Sequence, residues 1–154
     1  MDRLREILGR MELELNDEKS RVVDAEEATF DFLGFTYKRT FNREGTKRLT
    51  LYYPSTKAQK RLRERMRKVF DPHAPVSVAE RIRRANPYLR GWVNYFRVGN
   101  SARVFHDVAW HVETKLRRVL EYQAGRYGRG WKRYNLDFLY GTLGLYHDYR
   151  THWQ

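Results

Sequence analysis

The chain has no cysteine, which removes disulfides, thiolate metal sites and a thiol nucleophile at once. Long apolar runs are missing too. None approaches the ~18 residues that a membrane-spanning helix requires, and Met1 opens a charged, amphipathic segment unlike a signal peptide. A soluble protein of the cytoplasm, with no membrane contact, is therefore expected. The five histidines contain no His-x-x-x-His pair, and His106 and His111, five apart, diverge on a helix, so no metal site is expected. Acidic residues are concentrated at one end. Residues 1–31 hold five Lys/Arg against ten Asp/Glu, which leaves 26 against nine for residues 32–154.

That imbalance is the main functional signal. A formal charge of +12 on 154 residues attracts polyanions, and an aromatic content of 15% supplies rings that either fill a core or stack on bases. Nucleic acid ranks ahead of an acidic membrane surface, because no helix offers a large apolar face to lipid. The length suits one domain with a substantial core, or one compact domain plus part of another.

Along the chain, Asp2 to Leu13 reads as a short helix with Leu4, Ile7, Leu8, Met11 and Leu15 roughly on one side. Leu13 to Val23 passes through an Asn/Asp turn into a short strand, and an acidic linker follows. Thr29 to Tyr37 reads as one strand, apolar on both faces and so buried on both sides. Gly34 within it marks a bulge or a close approach of another backbone. Turn residues from Asn42 to Thr46 and a strand from Arg48 to Tyr53 complete a hairpin.

Pro54 stops the sheet, and Thr56 with Gln59 stands at capping-box spacing for a helix from Lys57 to Phe70. Its apolar stripe is narrow: Ala58, Leu62, Met66 and Val69. Lys57, Lys60, Arg61, Arg63, Arg65, Arg67 and Lys68 occupy almost everything else, opposed by Glu64 alone, so the outer face is a positive rail. Ser77 and Glu80 form a second capping box before Arg81 to Arg84. Asn86 then suits an N-cap and Pro87 a first helical position, so the chain either kinks at Pro87 or starts a new helix there.

From Asn86 to Arg97, Leu89, Trp92, Val93 and Phe96 share one side of a helix while Arg90, Asn94 and Arg97 share the other. The second face is either solvated or offered to a partner. Gly91 costs roughly 1 kcal/mol against alanine mid-helix, which suits close approach of another helix or of a phosphate backbone. Ala102 to Tyr122 is the longest periodic segment. Gly125, Gly128 and Gly130 with Arg126 and Arg129 make a basic loop, which follows a helix instead of a strand and so does not fit a dinucleotide-binding turn. The aromatic stretch from Trp131 to Tyr149 is expected to form a short helix packing back on the bundle. The fold class is α+β and mostly helical: a short N-terminal helix and β-hairpin over residues 1–53, then a three-helix bundle over residues 54–154.

Two separated stretches resemble group II intron reverse transcriptases, in order and in spacing. Leu15-Asn16-Asp17-Glu18-Lys19-Ser20 followed by Phe32-Leu33-Gly34-Phe35 is similar to the last palm motifs. The Pro54-Ser55 helix start, the basic helix and Leu89-Arg90-Gly91-Trp92-Val93-Asn94-Tyr95-Phe96 resemble the maturase-specific region, or thumb. The resemblance implies a protein that clasps structured intron RNA to promote splicing, and a helical bundle that cradles the template–primer duplex in a full-length enzyme. It also implies a primer-grip-like role for Phe32, Leu33, Gly34 and Phe35, and places Lys19 near a polymerase site.

The chain departs from that family in having no Asp-Asp pair, so the Tyr-x-Asp-Asp carboxylates that hold polymerase metals are missing. No catalytic residue, cofactor or metal is assigned to it, and magnesium is expected only in a full-length polymerase relative. The residues expected to meet RNA are Lys57, Lys60, Arg61, Arg63, Arg67, Lys68, Arg81, Arg84, Arg90, Asn94 and Arg97. If the two sets of polar residues share one side of the bundle, they form a single groove. Two other readings stand beside this one: a non-catalytic subunit of a split reverse transcriptase, whose partner is the missing palm and fingers polypeptide, and a general basic RNA-binding protein.

Overall fold

The computed structural model describes residues 2–12, 24 and 28–152. The turn and strand read from Leu13 to Val23, the motif with Lys19, and most of the acidic linker lie outside them. Helix α1 spans Asp2–Gly9, and three antiparallel strands follow, β1 (Phe30–Phe32), β2 (Phe35–Phe41) and β3 (Arg48–Pro54), in the order β1-β2-β3. Three helices build the rest: α2 (Thr56–Val69), α3 (Val78–Phe96) and α4 (Ala102–Gln123), with a single π-helical turn at Phe138–Thr142. The fold is α+β and mostly helical, as its periodicities predict.

Thr29 to Tyr37 is not one buried strand. Leu33 and Gly34 both have positive φ, 48° and 81°, and close a two-residue turn that pairs Phe32 with Phe35. Such mirror-image turns match the right-handed twist of strands and require positive φ at both central residues. Gly34 is therefore a turn residue instead of a bulge, and its close neighbour is a side chain: a Cβ there would sit 3.4 Å from the Phe96 ring. The turn leaves Phe32 and Leu33 58% and 67% exposed, while Phe35 is buried.

Phe35 packs edge-on against Phe96, ring centroids 4.8 Å apart, and so pins the sheet to the end of α3. Asn100 strengthens the joint, its amide N–H donating to the Tyr52 carbonyl and its side chain accepting from the Tyr52 N–H. Gly99 sits where a Cβ would meet that same Tyr52 carbonyl oxygen at 2.5 Å, so any larger residue would push the sheet off the bundle.

The cap of α2 is Ser55, one residue earlier than the Thr56 spacing suggests: its hydroxyl accepts from the Ala58 N–H, and the Gln59 amide returns to the Pro54 carbonyl. Ser77 caps α3 as expected, accepting from the Glu80 N–H. Helix α3 runs unbroken through Pro87, so Asn86 is not an N-cap. Its side chain instead holds the C-terminal tail, donating to the Gly144 carbonyl and accepting from the Tyr146 N–H. The missing N–H of Pro87 costs one helical hydrogen bond, and packing of Ala85, Leu89 and Val93, all fully buried, offsets it.

The core lies between α2 (Leu62, Met66), α3 (Ile82, Leu89, Val93, Phe96) and α4 (Phe105, Val108, Val112, Leu116, Val119), with Leu139 and Leu145 closing it from the tail. Beyond the π turn the described residues of the tail form no helix. It runs back along α3 and ends with the His152 N–H on the Arg97 carbonyl.

Candidate nucleic-acid interface

Helix α2 carries seven Lys/Arg and one Glu in 14 residues. Among the described residues no carboxylate pairs with any of the seven. Several cations of α3 and the tail are matched instead. Arg83 and Arg84 share Glu80, Arg97 and Arg150 share Asp148, and Arg133 holds Glu121. Helix α2 is set apart by the density of its unmatched charge, seven cations in 14 residues, and a stack of like charges repels itself unless a polyanion lies along it.

Leu62 and Met66 turn into the core and divide the cations into two flanks. On one flank Arg61 lines a groove of about 630 Å³ with Leu33, Gly34, Tyr88, Gly91, Trp92 and Tyr95. Lys57 continues that flank beside Phe32, and the Arg65 guanidinium lies 5.3 Å over the Tyr88 ring. Gly91 has nothing within 4 Å of where a Cβ would be, so no helix among the described residues presses on it, and it leaves the groove floor open. The Tyr95 hydroxyl donates to the Leu33 carbonyl at 2.8 Å and ties the hairpin turn to the groove's far wall. The other flank, with Arg63 and Arg67, faces α4. There His111 is held below the ordinary imidazole value, first by burial and then by Lys115, Arg63 and Arg67. Lys60 lies exposed on the same flank.

The remaining candidates divide by what they touch. Arg81 is no RNA ligand: it is 1% exposed and donates to the carbonyls of Val76, Val69 and Ala74 at 3.0, 2.9 and 2.7 Å. It is the internal post of the α2–α3 loop. Arg84 is exposed but bound to Glu80 at 2.6 Å. Arg97 is largely covered and paired with Asp148 at 2.8 Å, which fastens the tail. That pairing, with Arg150 ahead of Arg97, holds the Asp148 carboxyl down at about 2.

Arg90 and Asn94 are exposed and line a different cleft, about 440 Å³, with Asn86, Tyr140 and residues 144–148 of the tail. Tyr88 and Arg90 project about 200° apart on a helix. The α2 cations and the Arg90, Asn94, Arg97 set therefore do not share one groove; α3 separates them. The groove-side aromatics Tyr88 and Tyr95 were not among the residues expected to meet RNA, and neither was Arg65. Their spacing at i and i+7, displaced from the Leu89 stripe, was the available sign.

Helix α4 holds a buried ion pair. Arg117 is buried; it pairs with Glu113 at 3.1 Å and donates to the Tyr134 carbonyl at 2.8 Å. The Tyr140 hydroxyl donates to the other Glu113 oxygen, and burial with that carboxylate pushes the phenol far up. No three His, Cys, Asp or Glu side chains converge as a metal-binding group among the described residues. No described helix is long and apolar enough to cross a membrane.

A comparison with curated proteins gave no match. Residues 59–136, from within α2 to just before the π turn, match the family described as "Group II intron, maturase-specific domain". That range covers just over half of the chain and contains α3 and α4 entire. The chain belongs to the group II intron maturase-specific domain family.

Proposed function

We propose that this protein is an RNA-binding maturase region that acts in the cytoplasm, clasping structured group II intron RNA through α2 to promote splicing. In a full-length reverse transcriptase the same face would cradle the template–primer duplex, with Phe32 to Phe35 beside the primer end and magnesium held by the palm. The observation that carries the reading is the unmatched charge of α2, set beside an open groove in a maturase-specific fold. Lys57, Lys60, Arg61, Arg63, Arg67 and Lys68 are the residues assigned to phosphate, with Arg65 added to them; Arg90 and Asn94 form a separate polar contact. The chain by itself performs no polymerisation, since it lacks the paired carboxylates that two-metal chemistry uses. Crosslinking the purified protein to total RNA and sequencing what is bound tests this directly. Enrichment of a group II intron supports the reading, and recovery of ribosomal or random RNA in its place would leave only a general RNA-binding protein.

A second reading has its own observation. Phe32 and Leu33 at the hairpin tip, with Ile7 and Met11, are exposed apolar side chains, whereas Phe35 is already committed to the core. They suit docking on a palm-bearing polypeptide, and restoration of primer extension on mixing the two chains would establish it.

A further inference from the structure

One basic segment remains without a role, the loop between α4 and the π turn. From Tyr122 to Tyr134 it carries no acidic residue. Tyr127 is fully exposed, and Trp110, which reaches the loop from α4, is 54% exposed. Trp110 stacks with Trp131, ring centroids 6.4 Å apart and planes 24° from parallel. Trp131 in turn lies over the Arg117 guanidinium at 4.1 Å. Because Arg117 is buried and fixed by Glu113 and the Tyr134 carbonyl, the pair of indoles is held on a rigid support. Arg126, Arg129 and Lys132 are exposed and make no ion pair among the described residues. Glu121, the carboxylate that does reach the loop, is buried and taken by Arg133.

Exposed rings set among unmatched cations are a poor surface for solubility and a good one for unstacked bases. A duplex offers phosphates but keeps its base faces covered, whereas a single strand offers both. We infer that this loop is a second nucleic-acid contact, apart from α2, that takes a single-stranded RNA segment: Tyr127 and Trp110 stack on bases while Arg126, Arg129 and Lys132 meet phosphates. The inference rests on the RNA-binding function proposed above and adds to it the class of RNA that this site recognises.

The test is fluorescence anisotropy of the full chain with two probes, a labelled oligouridylate of about ten nucleotides, within the span such surfaces take, and a blunt RNA duplex. Tyr127→Ala should weaken the oligouridylate about fivefold or more, the loss expected for one stacked base, and leave the duplex unchanged. Tyr127→Phe, which keeps the ring and discards the hydroxyl, should restore wild-type affinity. Tyr127 touches nothing in the core, so its variants report binding and not folding. An unchanged oligouridylate affinity in Tyr127→Ala, or an equal loss for both probes, overturns the stacking site. If the wild-type protein binds the duplex but not the oligouridylate, this proposal alone fails; if it binds neither, the RNA-binding function fails with it.

Discussion

Replacing Arg81 by methionine separates a basic residue that meets RNA from one that holds the fold. Methionine keeps most of the apolar stem but removes the three donating N–H groups, leaving the carbonyls of Val69 and Val76 without this partner and that of Ala74 with the Val76 N–H alone. A buried acceptor left unpaired costs about 1–3 kcal/mol. Two such penalties set an upper limit of about 6 kcal/mol. Two effects reduce it: the exposed loop around His73 and Pro75 admits water to some of these carbonyls, and the variant no longer has to desolvate a cation. A net destabilisation of about 3–5 kcal/mol remains, which for a chain of this size lowers the melting temperature by roughly 6–20 °C. Arg84→Met is the control. It removes an exposed pair with Glu80 and should change stability by less than about 1 kcal/mol. Thermal and urea unfolding of the two variants, followed by circular dichroism, gives the comparison. An Arg81→Met protein that melts with the wild type but binds RNA poorly would falsify the assignment and return Arg81 to the interface.

Glu113→Gln should be among the most damaging conservative changes, costing about 3–5 kcal/mol in urea unfolding, because it leaves the Arg117 cation buried without its counter-charge. Trp92→Ala should cost about 3 kcal/mol, the low end for a large aromatic, since Trp92 packs on Phe96 and Phe105 but is only partly buried; an unchanged melting temperature would contradict that packing. His111 titrates below its ordinary 6.5 in the folded protein, so the unfolded chain takes the proton first. Stability from this residue is therefore complete above about pH 6.5 and falls as the pH drops through the lowered folded value. His111→Gln should flatten the fall of stability as the pH drops below the ordinary imidazole value, and an unaltered profile would show that another group is responsible.

The helices were legible because their apolar periods are long and their caps are local: Ser77 with Glu80 sits three residues from the hydrogen bond it makes. What was not legible depended on partners distant in sequence. Pro87 and Asn86 look like a helix start, yet the helix continues because α2 and α4 pack on both sides of that point and Asn86 is claimed by Tyr146, 60 residues away. Leu33-Gly34 carries none of the usual Asn-Gly signal of a tight hairpin, so the turn stayed hidden inside an apolar run. In the interface, charge alone could not tell Arg61 from Arg81 or Lys115 from Arg117. Each pair is a basic residue on a helix, and the carbonyls that reach Arg81 and Arg117 from other segments make those two internal.

The most direct test of the RNA-binding account is the affinity of a Lys60→Gln/Arg67→Gln variant for structured intron RNA, measured across a salt series. Both residues are exposed on α2 and unpaired, so stability should stay within about 0.5 kcal/mol of wild type. The account predicts weaker binding, with the slope of log affinity against log salt shallower by about 0.7–0.9 for each phosphate that the variant no longer neutralises. An affinity and a salt slope both identical to wild type would contradict it and leave α2 as a solvated surface.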